Sequence, residues 1–285
     1  MTHPLGDPVL LVPDKDPAPN VADLEAALTA RDVTTRRVAL GRDPRATVER
    51  LQAEGNAFFV HCGGQASLVQ WLPAVVGTEA VAGVFPGGVL NDFARTFGLD
   101  LHPDAAATLI AGPRVIRVDV GVAETTEGET YVFNHAIVGL GAEAAKRLGR
   151  SRFTTLLGWY RALARHRTTT YDVDMTFAEY HGEATQIRLS NGQYAYGNLH
   201  AAPRALPDDG AWDVQVWAGP RSLPFTLQSK MVRAEHLPNE HVTEWRQKRA
   251  EVTATPPALV AVDDRVAGRT PATFSLLEKA LRLKI

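Results

Sequence analysis

The stretch PGGVLNDFAR, residues 86–95, decides how this chain is organised. It follows a short apolar run, Ala82–Phe85, that predicts a buried strand. It leads into Asn91–Phe97, which has the pattern of a helix ended by Gly98. A glycine turn between a strand and a helix lets backbone amides approach an anion, assisted by the positive end of the helix. The stretch therefore indicates an α/β fold with a candidate anion-binding turn.

The same arrangement occurs earlier, where the strand predicted over Ala57–Val60 ends at HCGGQAS, residues 61–67. Further strands are predicted at Val9–Val12 and Thr34–Val38, and helices from Asn20 to about Ala30 and over Arg45–Glu54. Such alternation predicts a parallel sheet flanked by helices, in which ligands bind beyond the carboxyl ends of the strands. Both glycine pairs fall at that position.

The pattern changes after about Gly121, where period-two stretches predict a mostly antiparallel β domain. Helices are expected within it only around Ala142–Leu148 and Phe153–Arg165. The predicted strands are Thr130–Asn134, Tyr171–Phe177, Gln186–Ser190, Asp213–Trp217, Leu259–Val262 and Thr273–Leu276.

The length, charge and composition of the chain exclude several classes of function. The chain has 285 residues, 45% of them hydrophobic, which suits a two-domain globular protein. A net charge of −2 argues against a sequence-blind nucleic-acid binder, and a single cysteine excludes an internal disulfide. No lysine occurs between Lys15 and Lys146, so neither glycine turn is a Walker-type phosphate loop. No apolar run is long enough for a membrane span and no export signal is visible, so we expect a cytoplasmic protein.

Several motifs follow one another along the chain. They are Gly63-Gly64, then Asn91-Asp92-Phe93-Ala94-Arg95, then Arg117-Val118-Asp119-Val120-Gly121, then Tyr131 to Asn134 with Gly139 and Ala142, then Asn191-Gly192, then Ala202-Pro203-Arg204-Ala205 through Asp209-Gly210, and finally Asp263. In order and spacing they resemble the motifs of the diacylglycerol-kinase/sphingosine-kinase superfamily of lipid kinases, in particular its soluble bacterial members. The match runs from about residue 8 to the end of the chain.

The resemblance implies an α/β domain of the NAD-kinase/diacylglycerol-kinase type over residues 1–121 and about 272–285. It implies a β-sandwich-like domain over residues 122–271, with a cleft between the two. The family activity is ATP-dependent phosphorylation of a lipid hydroxyl. The family positions for nucleotide or ligand binding fall on Gly63, Gly64, Gln65, Ser67, Gly88 and Asn91.

A structural Mg²⁺ site is also implied for the loop LPDDGA, residues 206–211. In the family an Asp and two neighbouring carbonyl groups hold the ion, which places it on Asp209, Leu206 and Ala211. An Asp-Asp-Gly turn without any ion explains the same residues equally well, and the two alternatives stay open.

The departures from the family pattern cluster on the nucleotide site. Where the family has the Asp and Thr of GGDGT, this chain has Gln65 and Ser67. Val89 and Leu90 replace a Thr and a Gly, and Arg265 stands where the late D-G-E motif has its proposed general base. Phosphoryl transfer depends on neutralising charge, usually through carboxylate-held Mg²⁺, and an arginine cannot accept a proton. The sequence therefore predicts a degraded nucleotide site at which ATP use is doubtful.

The remaining polar groups near the motifs are the catalytic candidates Asp92, Asp119, Asp263, His61 and His135. Each has an alternative explanation as a surface residue or a hydrogen-bonded core residue. Cys62 is not a candidate nucleophile, because adjacent strand residues point to opposite faces and its neighbour His61 cannot pair with it.

Three functions remain open. The first is a repurposed family member that binds, and transforms by acid–base chemistry without ATP, a lipophilic hydroxylated small molecule. The second is an atypical ATP-dependent lipid kinase with Mg²⁺, and the third is a pseudokinase that senses a ligand or a partner. The apolar segment Phe153–Ala164 could line a cleft for a lipophilic ligand or be an ordinary amphipathic helix buried against the sheet. Peripheral membrane contact, a homodimer and the identity of the substrate are left open.

Overall fold

The chain folds into two compact units, one formed by Met1–Val118 with Lys279–Ile285 and the other by Asp119–Glu278. The computed structural model describes residues 5–14, 20–87, 91–99, 102–146, 158, 160–164, 166, 169–197 and 199–285, without the side chain of Phe225. Gly88, the substituted positions Val89 and Leu90, and most of the segment Phe153–Arg165 lie outside the described residues.

The first unit is a parallel sheet with helices. Its strands are β1 (Val9–Val12), β2 (Arg36–Ala39), β3 (Phe58–Gly63) and β4 (Val81–Pro86), and its helices are α1 (Val21–Thr29), α2 (Pro44–Ala53), α3 (Gln65–Trp71), α4 (Asp92–Thr96) and α5 (Pro103–Ala111). The strand order is β2-β1-β3-β4, and Arg282 and Leu283 near the chain end pair in parallel with β4. Asn20 and Asp43 accept from the amides of Asp23 and Ala46, and so cap α1 and α2.

Alternate residues of β3 pack on opposite faces of this sheet. Phe58, Val60 and Cys62 belong to a core cluster with α1 and α5. On the other face, Phe59 and His61 contact the ring of Trp71 in α3, with centroid separations of 6.3 and 6.2 Å. Since both faces are covered by helices, β3 is buried along its whole length, as the apolar run at its start predicts.

The second unit is mostly antiparallel. Its strands are β5 (Val115–Thr125), β6 (Gly128–Val132), β7 (His135–Gly139), β8 (Thr169–Met175), β9 (Ala178–Ala184), β10 (Gln186–Ser190), β11 (Tyr194–Ala195), β12 (Leu199–His200), β13 (Trp212–Trp217), β14 (Val242–Gln247), β15 (Ala250–Thr255), β16 (Leu259–Val262), β17 (Arg265–Arg269) and β18 (Ala272–Lys284). Three short helices accompany them, α6 (Leu140–Ala145), α7 (Leu223–Thr226) and α8 (Gln228–Val232).

Two sheets of this unit enclose its core. One is antiparallel, with the order β14-β13-β10-β7-β16-β17. The other joins the start of β18 to β15, β8 and β9, also antiparallel. Tyr171 and Phe274 from one sheet and Leu189 and Val214 from the other share a single apolar cluster. The packing is close at Gly121, where a Cβ atom would lie only 2.1 Å from the ring of Trp212.

These observations confirm the predicted fold class, an α/β sheet followed by a mostly antiparallel domain. Several elements differ from the sequence prediction. The strand expected at Thr273–Leu276 continues to Lys284, passing Lys279 at a left-handed φ of 54°. The elements that were not predicted are helices α5, α7 and α8 and strands β7, β9, β11, β12, β14, β15 and β17. In the described part of the chain no helix is long and apolar enough to cross a membrane.

Candidate functional site

The polar groups of the first glycine turn bond to one another. Trp71 Nε1 donates to Nδ1 of His61 at 3.1 Å, which leaves the proton of a neutral ring on Nε2. That Nε2 lies 3.0 Å from the carbonyl oxygen of Gly64 and 3.2 Å from Oγ of Ser67. Ser67 Oγ also donates to the Gly64 oxygen at 3.1 Å. Both ring nitrogens of the candidate His61 are therefore engaged inside the protein.

Gln65 ties this turn to the second motif. Its Oε1 accepts a hydrogen bond of 3.0 Å from the backbone amide of Phe93, in the first turn of α4. Gln65 and Ser67 are both buried. The side chain that replaces the family's Asp is thus directed to a helix amide instead of to a bound group.

The residues of this turn do not fit Mg²⁺ and a nucleotide phosphate as the family would hold them. Position 65 brings an amide in place of a carboxylate, and its oxygen is already bonded to Phe93. The Cβ that any side chain would add at Gly63 would lie 2.6 Å from Pro13, so Pro13 closes against the turn. Cys62 offers no thiolate, because burial raises the pKa of its thiol to about 12.

The second motif places Asn91 immediately before α4 and Asp92 as its first residue. Asp92 is fully buried, and the Asn91 carbonyl accepts from the Arg95 amide at 2.9 Å. An acidic residue here also stabilises the positive end of a helix. The candidate Asp92 therefore has a structural explanation as well as a catalytic one.

Asp119 organises the Asp-Asp-Gly loop. Its Oδ2 accepts from the Gly210 amide at 2.7 Å, and its own amide donates to the carbonyl of Pro207 at the same distance. Asn191 Nδ2 donates to the Asp119 carbonyl at 2.9 Å. Residues that are distant in the sequence thus fix the shape of loop 206–211.

The same loop was the predicted Mg²⁺ site, and it fits a cation poorly. Oδ1 of Asp209 accepts from the Ala211 amide at 3.0 Å, and Oδ2 forms an ion pair with Arg246 of β14. The guanidinium group of Arg246 thus occupies the position that a metal ion would take beside Asp209, the only carboxylate in the predicted ligand set. Within the described residues, no group of three or more His, Cys, Asp or Glu side chains could hold a metal ion.

Asp263 anchors the segment that leads into β7. Its carboxylate accepts from the backbone amides of Phe133, Asn134 and His135 at 2.8, 2.9 and 3.1 Å. Burial raises the pKa of this carboxyl group, and the charge of His135 and the three amides act in the opposite direction. This position, a catalytic candidate in the sequence, is a backbone anchor in the structure.

His135 and Asp264 form a buried pair that the sequence analysis did not assign. Nδ1 of His135 accepts from Asn134 Nδ2 at 3.2 Å, so the Nε2 proton points away from Asn134. That Nε2 lies 3.4 Å from Oδ1 of Asp264 without a hydrogen bond between them. Asp263 and Asp264 both have positive φ angles, 45° and 66°, as in a two-residue hairpin turn. The sequence signal that could have indicated this turn was the Asp-Asp dipeptide directly after the apolar strand Leu259–Val262.

A cavity of about 330 Å³ lies elsewhere in the second unit, lined by groups that include His166, Thr185, Gly219 and Arg221. His166 is buried, and its Nε2 has no hydrogen-bond partner in the described residues. Burial, with the nearby charge of Arg221, lowers the pKa of this histidine. None of the catalytic candidates lines this cavity.

The candidates fall into two hydrogen-bonded groups. In the first unit His61 and Ser67 share one network, and Gln65 reaches the helix that Asp92 begins. In the second unit Asn191 joins two anchors, because its Nδ2 donates to the carbonyl of Asp119 and lies 3.4 Å from that of Phe133. Through Phe133 this network extends to the carboxylate of Asp263.

Comparison with known proteins settles the family. Residues 16–123 match the model of the diacylglycerol kinase catalytic domain. Residues 131–285, more than half of the chain, match the YegS C-terminal NAD kinase beta sandwich-like domain. The chain belongs to the diacylglycerol-kinase-like lipid kinase family.

Individual members of this lipid kinase family are moderately similar to the chain. A Pseudomonas aeruginosa protein named "Probable lipid kinase YegS-like" is 30% identical over 239 residues, 78% of this chain and 76% of that protein. One with the same name from Pseudomonas fluorescens is 27% identical over 221 residues, 73% and 72% of the two chains. A crystal structure of a diacylglycerol kinase from Bacillus anthracis str. Sterne superposes with a TM-score of 0.72, covering 98% of this chain and 96% of that one. Its 17% identity supports the fold alone.

Proposed function

We propose that this lipid-kinase-family protein binds a lipophilic, hydroxyl-bearing small molecule and acts on it without ATP. The observation that carries the proposal is the hydrogen bond from the Phe93 amide to Gln65 Oε1. It directs the residue that replaces the family's Asp to the protein's own backbone, at the turn where a nucleotide phosphate would need a metal-held charge.

The neighbouring groups support the same conclusion. His61 and Ser67 bond to each other and to Gly64, so these polar side chains of the turn are satisfied without a phosphate. A phosphate would have to break such bonds before making its own, and a buried donor or acceptor left without a partner costs about 1–3 kcal/mol.

The chemistry of the proposed reaction falls to His135 and Asp264. A general acid or base must hold a proton that can be exchanged with a bound hydroxyl group. His135 Nε2, oriented by Asn134 and 3.4 Å from the Asp264 carboxylate, can hold such a proton. Asp263 is less suited, because three backbone amides already occupy its carboxylate.

A second candidate is an atypical ATP-dependent lipid kinase. It is favoured by the names of the relatives and by acidic residues at three family positions, Asp92, Asp119 and Asp263. In that case the substrate is a lipid hydroxyl and the product a lipid phosphate.

Thermal unfolding with two ligands separates the candidates. Millimolar Mg-ATP should leave the Tm unchanged, whereas the short-chain lipid dioctanoylglycerol should raise it without ATP. A ligand present at 100 times its Kd stabilises the folded state by about 2.7 kcal/mol, which is readily measured. A saturable Mg-ATP shift, with phosphate transfer to the lipid that Asp92→Asn abolishes, would establish the kinase instead.

The Pseudomonas aeruginosa relative serves as the reference protein, and its Tm is measured with the same two ligands in the same buffers. Asp264→Asn in this chain should leave the dioctanoylglycerol shift in place and abolish any conversion of the lipid. If neither lipid nor nucleotide shifts the Tm of this chain, the proposed ligand class is wrong.

A further inference from the structure

One face of three adjacent strands in the second unit is polar and yet buried. In the sheet register Ser190 of β10 lies between His135 of β7 and Asp213 of β13, and Arg188 lies opposite Gln215. All five side chains are at least nine-tenths buried. The alternate residues of these strands build the apolar core, so this opposite face is a separate polar layer.

The guanidinium group of Arg188 is not paired with the one carboxyl group of this layer, Asp213, whose Oδ2 also has no hydrogen-bond partner among the described residues. The residue is 1% exposed, and its Nε and Nη1 have no hydrogen-bond partner in the part of the chain that the structure describes. It forms no ion pair with any carboxylate of the described residues. An arginine stays protonated at all ordinary pH values, so the uncompensated charge cannot be relieved by losing a proton.

Three uncharged groups lie near Arg188. The ring of Tyr196 lies beneath the guanidinium group, with its centroid 5.8 Å from Cζ. His236 Nε2 bonds to the carbonyl of Ala201, and its Nδ1 has no partner. Burial, and the nearby positive charge of Arg188, lower the pKa of His236 to about 4, so this ring is neutral. Gln215 donates to the Ala201 carbonyl and accepts from Trp217, so its polar atoms are engaged.

The backbone of Tyr196, whose ring packs against Arg188, is strained. Its φ is 54°, a left-handed value that bulky side chains rarely adopt, at the turn of the β11–β12 hairpin. The same ring meets His135 edge-on, with centroids 6.0 Å apart. One aromatic ring, that of Tyr196, thus contacts both the buried Arg188 and His135 of the candidate acid–base pair. Backbone strain of this kind is typical of functional sites.

We propose that Arg188 is the centre of an oxyanion-binding site, which takes the phosphate or carboxylate group of a small molecule. A guanidinium group binds either group through charge-assisted hydrogen bonds, and Nε and Nη1, which point in different directions, are the donors left open among the described residues. The unpartnered hydroxyl of Ser190, two residues along the same face, supplies a third donor. The inference does not rest on the proposed function, because it involves neither ATP nor the glycine turns.

The test is thermal unfolding of the full chain at constant ionic strength with four probes. Inorganic phosphate and succinate represent free oxyanions, while glycerol 3-phosphate and dioctanoyl phosphatidate represent a headgroup without and with its acyl chains. At least one should raise the Tm saturably at or below millimolar concentration. A shift from phosphatidate alone assigns the site to a lipid, and shifts from the small anions assign it to a free oxyanion.

Arg188→Met should weaken that binding about ten- to hundredfold, since hydrogen bonds to a charged group are lost. Replacing an uncompensated buried charge by an apolar side chain of similar size should not lower the Tm without ligand. Arg249→Met, which removes an exposed arginine paired with Glu251, is the matched control and should keep the shift. Ser190→Ala should weaken binding less than Arg188→Met does.

Three outcomes would overturn the site. One is the absence of a saturable shift with all four probes, and another is an equal shift in the wild type and Arg188→Met. The third is a probe-free Tm that falls in Arg188→Met but not in a double variant with Asp213→Asn, since Asp213 would then be the hidden counter-charge. If Arg188→Met does not fold, Arg188→Lys gives the same comparison, because it keeps the charge but loses the Nε and Nη1 donors.

Discussion

The backbone amide of Phe93 donates to the side-chain oxygen of Gln65, 28 positions earlier in the chain, at 3.0 Å. This bond joins the two glycine-turn motifs of the first unit. Both partners are buried, so neither has water as an alternative partner. A residue that departs from the family motif has therefore acquired a structural role.

Gln65→Leu should destabilise the first unit. The substitution keeps the size of the side chain but leaves the Phe93 amide buried without an acceptor, which costs about 1–3 kcal/mol of unfolding free energy. Urea unfolding followed by tryptophan fluorescence measures the change, and Gln65→Glu should restore most of the loss because a carboxylate accepts the same bond.

Gln70→Leu on the same helix is the control for that substitution. Gln70 is exposed and bonds only to the Ala66 carbonyl, so its replacement should change stability by about 0.5 kcal/mol or less. Equal losses in the two Leu variants would mean that helix α3, and not the bond to Phe93, carries the effect.

Asp263→Asn should lower stability by about 1–3 kcal/mol. The carboxylate accepts three backbone amides, and an amide side chain offers one oxygen while turning its NH₂ group toward the remaining donor. Urea unfolding and ligand binding should therefore weaken together, as expected for an anchor.

The adjacent Asp264→Asn is the matched control. The Oδ1 of Asp264 has no hydrogen-bond partner among the described residues, so stability should change little while any lipid conversion is lost. The anchor role would be refuted if Asp263→Asn kept full stability and lost conversion, since Asp263 would then be the group that reacts.

The strands and helices of the first unit could be predicted from the sequence because the residues that determine them are close together in the chain. The apolar runs of β3 and β4 are each followed by glycine or proline. They predict buried parallel strands without any information about distant residues. Asn20 lies within reach of the amide that it caps. Local chemistry of this kind needs no knowledge of distant residues.

The second unit was harder to predict. Some of its strands carry charged residues, and the contacts of its carboxylates join residues that are far apart in the chain. Strand β14 is half exposed and carries Glu244 and Arg246, so its alternation is not apolar–polar. Asp119 meets the Gly210 amide across 91 positions, and Asp263 meets the Phe133 amide across 130. Such pairings determine whether a carboxylate is an anchor or a reactive group, and spacing along the chain does not reveal them.

Magnesium should have no effect on the stability of the wild-type loop 206–211. Arg246 already neutralises Asp209, so neither added Mg²⁺ nor a chelator should move the Tm. Arg246→Met should lower stability by no more than about 1 kcal/mol, because the guanidinium side of the pair is half exposed. In that variant the released carboxylate should make the Tm respond to Mg²⁺.

Arg233→Met serves as the control for Arg246→Met. It removes another exposed ion pair, with Glu235, and should produce no response to Mg²⁺. A fall in the wild-type Tm on chelation would show that the loop holds an ion despite the bond to Arg246.

Two buried titrating groups of the second unit should have opposite effects on stability as pH changes. Burial, then the negative charge of Glu244, raises the pKa of Asp213 from 3.8 to about 6, with Arg204 acting against them. Between these values the folded protein holds a proton that the unfolded chain has lost, so this group's contribution falls as pH rises. Burial lowers the pKa of His236 from 6.5 to about 4, so the unfolded chain holds the extra proton and this contribution rises with pH.

Asp213→Asn should therefore make the protein's stability increase more steeply with pH. Relative to the wild type, its unfolding free energy should rise by about 2 kcal/mol between pH 4 and 6.5, because a shift of one pKa unit corresponds to 1.36 kcal/mol and this range covers most of the shift. His236→Gln should do the reverse by a similar amount, since it removes the contribution that grows with pH. Urea unfolding at half-unit pH steps measures both differences. Parallel curves for the wild type and Asp213→Asn would mean that the Asp213 carboxyl titrates alike in the folded and unfolded states.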